Sequence, residues 1–482
     1  MATKLRNIEN TGTGLGSATD LDLDATHPSY DTFSPWYTEM QDAITGESAI
    51  KAAGEDYLPK PGGMKLMQSS LQAAAYAAYQ KRASYPEIVA PTIRGLTGVI
   101  YNQPIVPELP KALEYMIEKA TTDGLTLESA LRRITRNILS FGRTGVAIAI
   151  NEAGQPELAI YSASAIRNWA EDESLVVLDE SGYVMQENLT WIDTEKRLLL
   201  ELIDGKAFAT MYENSSGWGK VEESQYSGIG EKVIDFLPFV FIDTNDLTPE
   251  PDEVPLLSLA RLAAKAYRQD ANYQQTLYLA ANPTHVIIGM APDYEYRPQA
   301  VGGGIIWFLP DTDQKAEILE FTGASADAQR RAIQDTLQAA VQAGARLFAT
   351  ADEQQESGEA RKIKYAAQTA TLVGIALTAA AGLEKALKMC AIIIGANPDE
   401  VVIPISTEFI DNTIGAQEMT AIISGVAGGL ISNQTGYELF QNGGRANPDR
   451  NWEDEKKLID EQGPALGMIG REENQDEKNL EE

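Results

Sequence analysis

Between Val254 and Ala396 the chain strings together three long helical stretches with only two interruptions, and few folds accommodate that order. The first stretch, VPLLSLARLAAKAYRQDANYQQTLYLAA, has Pro255 at a tolerated first-turn position and no Gly or further Pro before Pro283. At helical rise it spans about 40 Å, longer than most globular cores require. Residues 283–323 carry the apolar runs HVIIG and GGGIIWFLP and read as a small β-rich excursion. SADAQRRAIQDTLQAAVQAGARLF returns as a helix, with Ser325 as the expected N-cap and Asp327 in its first turn. The charged run TADEQQESGEA then separates it from ARKIKYAAQTATLVGIALTAAAGLEKALKMCAIIIGA, helical in composition throughout. Together these predict a stalk with a β tip, an acidic elbow and a very long helix.

At 482 residues the chain is long enough for more than one domain. Its 70 acidic and 39 basic residues give a formal charge of -31, which argues against a protein that wraps duplex DNA on a basic face. The lone cysteine, Cys390, excludes an intrachain disulfide, and its place in an apolar helical run reads as a small buried hydrophobe in a reducing setting. MATKLRNIENTGTGLG lacks the apolar core of a secretory signal, so none is expected. The most membrane-like stretch, Thr371 to Ala396, is interrupted by Glu384, Lys385 and Lys388 and reads as a packed helix.

Taken in order, residues 1–27 read as a flexible arm. Ser34 before Pro35 predicts a helix start, with Trp36, Met40, Ala43 and Ile44 on one face, and Pro59 to Gly63 a break. An Ala-rich helix follows, then PEIVAPTIRGLTGVIYNQP, helical in pattern but expected to be interrupted at Pro91, Gly95 and Gly98. PELPKALEYMIEKATTDG and TLESALRRITRNILSFG complete a helical region over 28–142; Leu127, Leu131, Ile134 and Ile138 line one face and Gly142 ends the last helix. Over 143–253 the period changes to short alternating runs such as RTGVAIAI, KRLLLELI and KAFATMY, the pattern of antiparallel strands. DEVVIPISTEFI predicts a further strand over 401–409 that returns to that sheet. Two short helices over 416–446 and a solvated acidic tail over 447–482 complete an α+β, mainly helical chain.

Catalytic patterns are thin. His27 and His285 are the only histidines, and each reads as structural rather than as a general base. Cys/His metal spacing is missing, and Gly302, Gly303 and Gly304 lack the Lys-Ser/Thr and strand-to-helix context of a phosphate loop. Asp311 and Asp313 could hold a cation or serve a hydrolase, but turn chemistry explains them more simply. No catalytic residue, metal or cofactor is expected; a carboxylate-based hydrolase stays as the enzyme alternative. The acidic elbow carries Asp352, Glu353, Glu356 and Glu359, followed at once by Arg361, Lys362 and Lys364. Cations at a helix start oppose the helix dipole and call for anions or neighbouring acids.

This order, together with GESAIKAAGEDYLPK, VPLLSLARLAAKAYRQDANYQQTLYLAANPTHVIIGM and GGGIIWFLPDTDQKAEILEFTGASADAQRRAIQDTLQAAVQAGARLF, resembles the portal proteins of tailed bacteriophages, in particular a podovirus-type family. The resemblance spans roughly residues 28–445. It implies a ring, usually a dodecamer, at one capsid vertex, through which double-stranded DNA is packaged and ejected. Residues 28–142 and 143–253 would form the wing, 254–282 and 324–347 the stem helices, 283–323 the clip, and 348–359 the tunnel loop. Residues 360–415 would be the long wing helix and returning strand, 416–446 the crown, and 447–482 its acidic tail. Implied partners are the terminase large subunit, tail adaptor proteins, major capsid and scaffolding proteins and transient DNA, with no membrane; assembly in the host cytoplasm would end in the virion. Tyr294, Glu295, Arg297, Asp311 and Asp313 would dock partners at the clip. Asp352, Glu353, Glu356 and Glu359 would form the tunnel constriction, and Arg361, Lys362 and Lys364 would contact DNA weakly. An acidic lining would repel the phosphate backbone and let the duplex slide. A scaffold or tail adaptor would share the helices and the lack of a catalytic site.

Overall fold

The computed structural model describes residues 21–228, 233–282, 284–289, 309, 313–319, 325–345, 358–405, 416–442, 446–447 and 450–461. The chain divides into two units, residues 1–405 and 406–482. The architecture is mixed α+β and mainly helical.

The first unit opens with α1 (Pro28–Thr45), α2 (Glu47–Ala52), α3 (Gly62–Lys65), α4 (Ser69–Arg82), α5 (Val89–Ile100) and α6 (Leu127–Phe141). Helix α1 starts six residues before the expected Ser34 site. His27 is extended and its Nδ1 accepts from the Ser29 N–H at 3.2 Å, while Pro28 occupies the first turn. Pro35 lies inside the helix on its exposed face, where water can serve the Asp31 carbonyl left without a helical partner. Tyr37, Met40 and Ala43 form the buried stripe. Helix α5 also runs unbroken through Gly95 and Gly98. Pro91 falls in its first turn, where no helical N–H is needed, and burial of Val89, Ile93, Leu96 and Ile100 holds the rest. PELPKALEYMIEKA shortens to a 3-10 turn over Lys111–Ile117. Helix α6 matches its expected face, with Thr126 as N-cap and Gly142 left-handed at φ 77°.

Among the described residues nine strands follow: β1 (Arg143–Ile150), β2 (Pro156–Ser162), β3 (Ile166–Trp169), β4 (Leu175–Asp179), β5 (Gly182–Met185), β6 (Trp191–Ile203), β7 (Lys206–Asn214), β8 (Trp218–Gln225) and β9 (Phe239–Asp243). They form a three-stranded sheet, β2-β1-β9, and a six-stranded one, β3-β4-β6-β7-β8 with β5 beside β6; every pairing within them is antiparallel. Ile166, Trp169, Val176, Leu178, Leu200, Phe239 and Phe241 share one apolar core between them. The end of the expected arm is part of this structure. Leu23 is buried with Val177, Leu199 and Tyr212, and His27 stacks on Trp169 at 4.0 Å, so 21–27 are packed because they carry the apolar groups that cover the sheet.

Beyond β9 come α7 (Leu257–Ala281), a hairpin of β10 (Thr284–Ile288) and β11 (Lys315–Leu319), α8 (Ala326–Ala345) and α9 (Gly358–Ile393). The second half of α9 is core: Leu372, Ile375, Ala379, Leu383, Leu387 and Cys390 are buried. Gly382 allows the close approach, since a Cβ there would lie 2.4 Å from Ile242 Cδ1 on β9. Residues Ala370–Ile393 are long and apolar enough to cross a membrane, and half of that window is buried within the molecule. The strand expected over 401–409 is reduced to one antiparallel bridge, Glu108 with Val402. Glu384 on α9 explains part of this: its Oε2 accepts from the Ile403 N–H at 3.1 Å and holds the segment to the helix. Residues 406–409 lie outside the described residues.

In the second unit α10 (Ala416–Ala427) packs on α11 (Asn433–Asn442), where Gly436 leaves room for Val426. The expected solvated tail contains a helix, α12 (Trp452–Glu461). Trp452 and Tyr437 bring their rings within 5.7 Å, and Arg450 pairs with Glu455 at 2.7 Å, so an aromatic contact and an ion pair anchor its start.

Candidate functional site

The two-helix stalk is built on α7. Its first half is embedded: Leu257, Leu259, Ala260, Ala263, Tyr267 and Ala271 are buried, several of them against Ile50, Leu58, Tyr79 and Tyr85. Polar clamps extend the grip, with Asp270 accepting from the Ser84 N–H at 2.8 Å and Asn272 accepting from the Tyr79 hydroxyl at 2.8 Å. Arg82 donates to Gln275 at 2.5 Å and lies over the Tyr278 ring at 4.2 Å. Past this point Leu277, Tyr278 and Leu279 are exposed. Helix α8 runs back antiparallel, because Gly344 near its end comes within contact distance of Leu259 near the start of α7. Only one stripe of α8, including Thr336 and Ala340, is buried; Arg331, Gln334, Asp335, Gln338 and Val341 are exposed.

The stalk is tied to the sheets at one buried joint. Arg143 on β1 and Asp243 on β9 pair at 3.0 Å with almost no exposure, and the guanidinium also lies over Trp169 and Phe241 at 4.7 and 5.1 Å. The same guanidinium donates to the carbonyls of Thr248 and Pro249 in the linker to α7. Burial pushes the Asp243 carboxyl up, against the downward pull of Arg143. Gly142 completes the joint, since a Cβ there would lie 2.1 Å from the Glu253 carbonyl oxygen. Sequence reasoning missed this pair because its members lie 100 positions apart, one opening and one closing an otherwise apolar strand.

Few of the expected site residues fall within the described structure. Tyr294, Glu295, Arg297, Asp311, Asp352, Glu353 and Glu356 lie outside the described residues. Asp313 is exposed in the turn that leads into β11. Glu359, Arg361, Lys362 and Lys364 lie in the first two turns of α9 by backbone position. His285 lies on β10, whereas His27 serves as a buried cap whose pKa is lowered by burial. Among the described residues no three His, Cys, Asp or Glu side chains cluster as metal ligands.

From α7 through the hairpin and α8 to the penultimate residue of α9, stalk and long helix form one continuous stretch of chain. Residues 255–392 match the model of a domain of unknown function, DUF4055. The DUF4055 match thus takes in the stalk, its tip and nearly all of α9, and leaves out the sheets and the second unit. A solved structure titled "Neck of native GTA particle computed with C12 symmetry" is also similar, at 14% identity over 82% of this chain and 98% of that one, with a TM-score of 0.35. No curated protein matches the chain.

Proposed function

We propose that this chain is a portal-type head-to-tail connector subunit, copies of which form a ring around a channel for double-stranded DNA. The observation that carries the reading is the stalk: α7 buries its first half in the body, then continues with α8 as a helix pair tipped by a β hairpin. A helix pair covered on one face only leaves its other faces for neighbours, and a ring of such pairs makes a tube. The formal charge of -31 suits a conduit that must not hold phosphate. On this reading 283–323 is the clip, which meets the terminase large subunit and later the tail adaptor. The acidic elbow narrows the channel, 416–446 forms the crown, and the ring sits in the virion at one capsid vertex. Negative-stain microscopy of the purified full-length protein tests it: rings with a central channel are expected, and a monomer at every concentration overturns it. Arg361, Lys362 and Lys364 act in this scheme as repeated weak phosphate contacts. Reversing their charge should change packaged DNA length or retention, and unchanged values for both would remove them from that role.

A further inference from the structure

The stalk carries two polar stripes that match each other level for level. On α7, Arg261, Lys265 and Arg268 follow one another at helical spacing and are exposed. Asp270 is the one acid in that helix and is committed to the Ser84 N–H, so the exposed face of α7 is cationic in a chain whose formal charge is -31. Arg261 pairs with Glu39 at 3.1 Å. Arg268 donates to the Tyr57 carbonyl at 3.5 Å, and neither it nor Lys265 has a carboxylate partner among the described residues. On α8, Asp335, Gln338 and Gln342 form an exposed stripe of carboxylate and amide oxygens, and Asp335 has no cation partner among the described residues.

Exposed charges need no partner in water; the register is what points to one. A Cβ on Gly344 would lie 3.7 Å from Leu259 Cδ2, and both helices rise about 1.5 Å per residue. Arg268 stands as far beyond Leu259 as Asp335 stands before Gly344, so the two are level. The same count sets Lys265 level with Gln338 and Arg261 level with Gln342. The hairpin continues this register beyond the helices, with Thr284 opposite Leu319. Level with each other and yet unpaired, Arg268 and Asp335 leave the stalk on different sides, so a single copy does not join them.

Rotation about an axis along the stalk carries a neighbour sideways and leaves every residue at its own height. A ring of parallel stalks therefore brings the α7 stripe of one copy and the α8 stripe of the next to equal heights, cation facing oxygen. We infer that the α7 face of each copy docks on the α8 face of its neighbour, with Arg268 bonded to Asp335 of the next copy and Lys265 to its Gln338. This rests on the ring reading above and names the surfaces that would build it. A DNA backbone would use the α7 cations but give the α8 stripe no role, whereas a second copy uses both.

Charge exchange in the full-length protein tests the contact. Arg268→Glu and Asp335→Arg should each raise the concentration needed for half-assembly into rings roughly tenfold in analytical ultracentrifugation, because each sets like charges face to face. The unfolding midpoint of the single chain should not move, since both side chains are exposed. Combining the two changes restores opposite charges across the contact and should return assembly to within about twofold of the wild type. Normal assembly of both single variants, or a double variant as impaired as the worse of them, would overturn this contact and leave the ring reading standing. Weaker binding of a short duplex by Arg268→Glu with assembly unchanged would also overturn it and assign the α7 cations to DNA. A wild-type protein that stays monomeric at every concentration would overturn both readings.

Discussion

The two sheets of the first unit are made from similar alternating sequence and end in opposite circumstances. In the three-stranded sheet every residue of β9 and the first six of β1 are buried, with α6 and α9 packed against them. In the six-stranded sheet Leu199, Leu200 and Glu201 in the second half of β6 are buried, yet β5 and the start of β6 carry exposed apolar side chains. Strand propensity is comparable in both; what differs is the number of elements that cover each face among the described residues. The first sheet therefore holds the single chain together, and the apolar ribbon of the second adds little to that core.

Substitutions can sharpen or break this contrast. The largest effect is expected at the buried pair. Asp243→Ala leaves Arg143 without its partner in an apolar core and should cost about 3–5 kcal/mol in denaturant unfolding. Gly382→Ala comes next: its Cβ would meet Ile242 at 2.4 Å, and the overpacking should cost about 1–3 kcal/mol by the same measurement. A third effect comes from acid at His27. Burial lowers its pKa from 6.5, so the folded protein favours the neutral cap whose Nδ1 accepts from Ser29. The unfolded chain binds the proton more readily, so this contribution is complete above pH 6.5 and is lost as pH falls through the lower folded value. His27→Asn, which keeps a capping acceptor without that titration, should flatten the stability profile in this range. The smallest change belongs to the ribbon, where Trp191→Ser should shift unfolding of the single chain by no more than about 0.5 kcal/mol. A loss there as large as at Gly382 would erase the distinction between the two sheets.

Much of the fold was legible in the sequence wherever period and length acted together. The helix over Leu257–Ala281, the alternating strands and the face of α6 follow from spacing alone. Boundaries failed where a local signal was weaker than a distant one. Ser34 and Pro35 form a good start signal, but His27 and Pro28 make an earlier one whose worth depends on Trp169, far along the chain. Pro91 and the two glycines of α5 look like breaks until the buried face is seen. The apolar run at 401–405 looks like a strand, but a carboxylate on α9 takes one of the backbone groups that pairing would need. For the candidate site, sequence showed where charges cluster; it could not show Arg143 with Asp243, because a pair formed across a sheet leaves no periodic trace.

The joint at Arg143 also determines how the stalk responds to load. A Pro- and acid-rich linker anchored only at its ends would stretch before passing on any pull. Here the linker carbonyls at Thr248 and Pro249 are bound to a side chain that is itself locked into the central strand of a sheet, and the Glu253 carbonyl sits against Gly142. Slack is removed from the connection, so torque applied along α7 is delivered to β1 and β9 as to the hub of a lever.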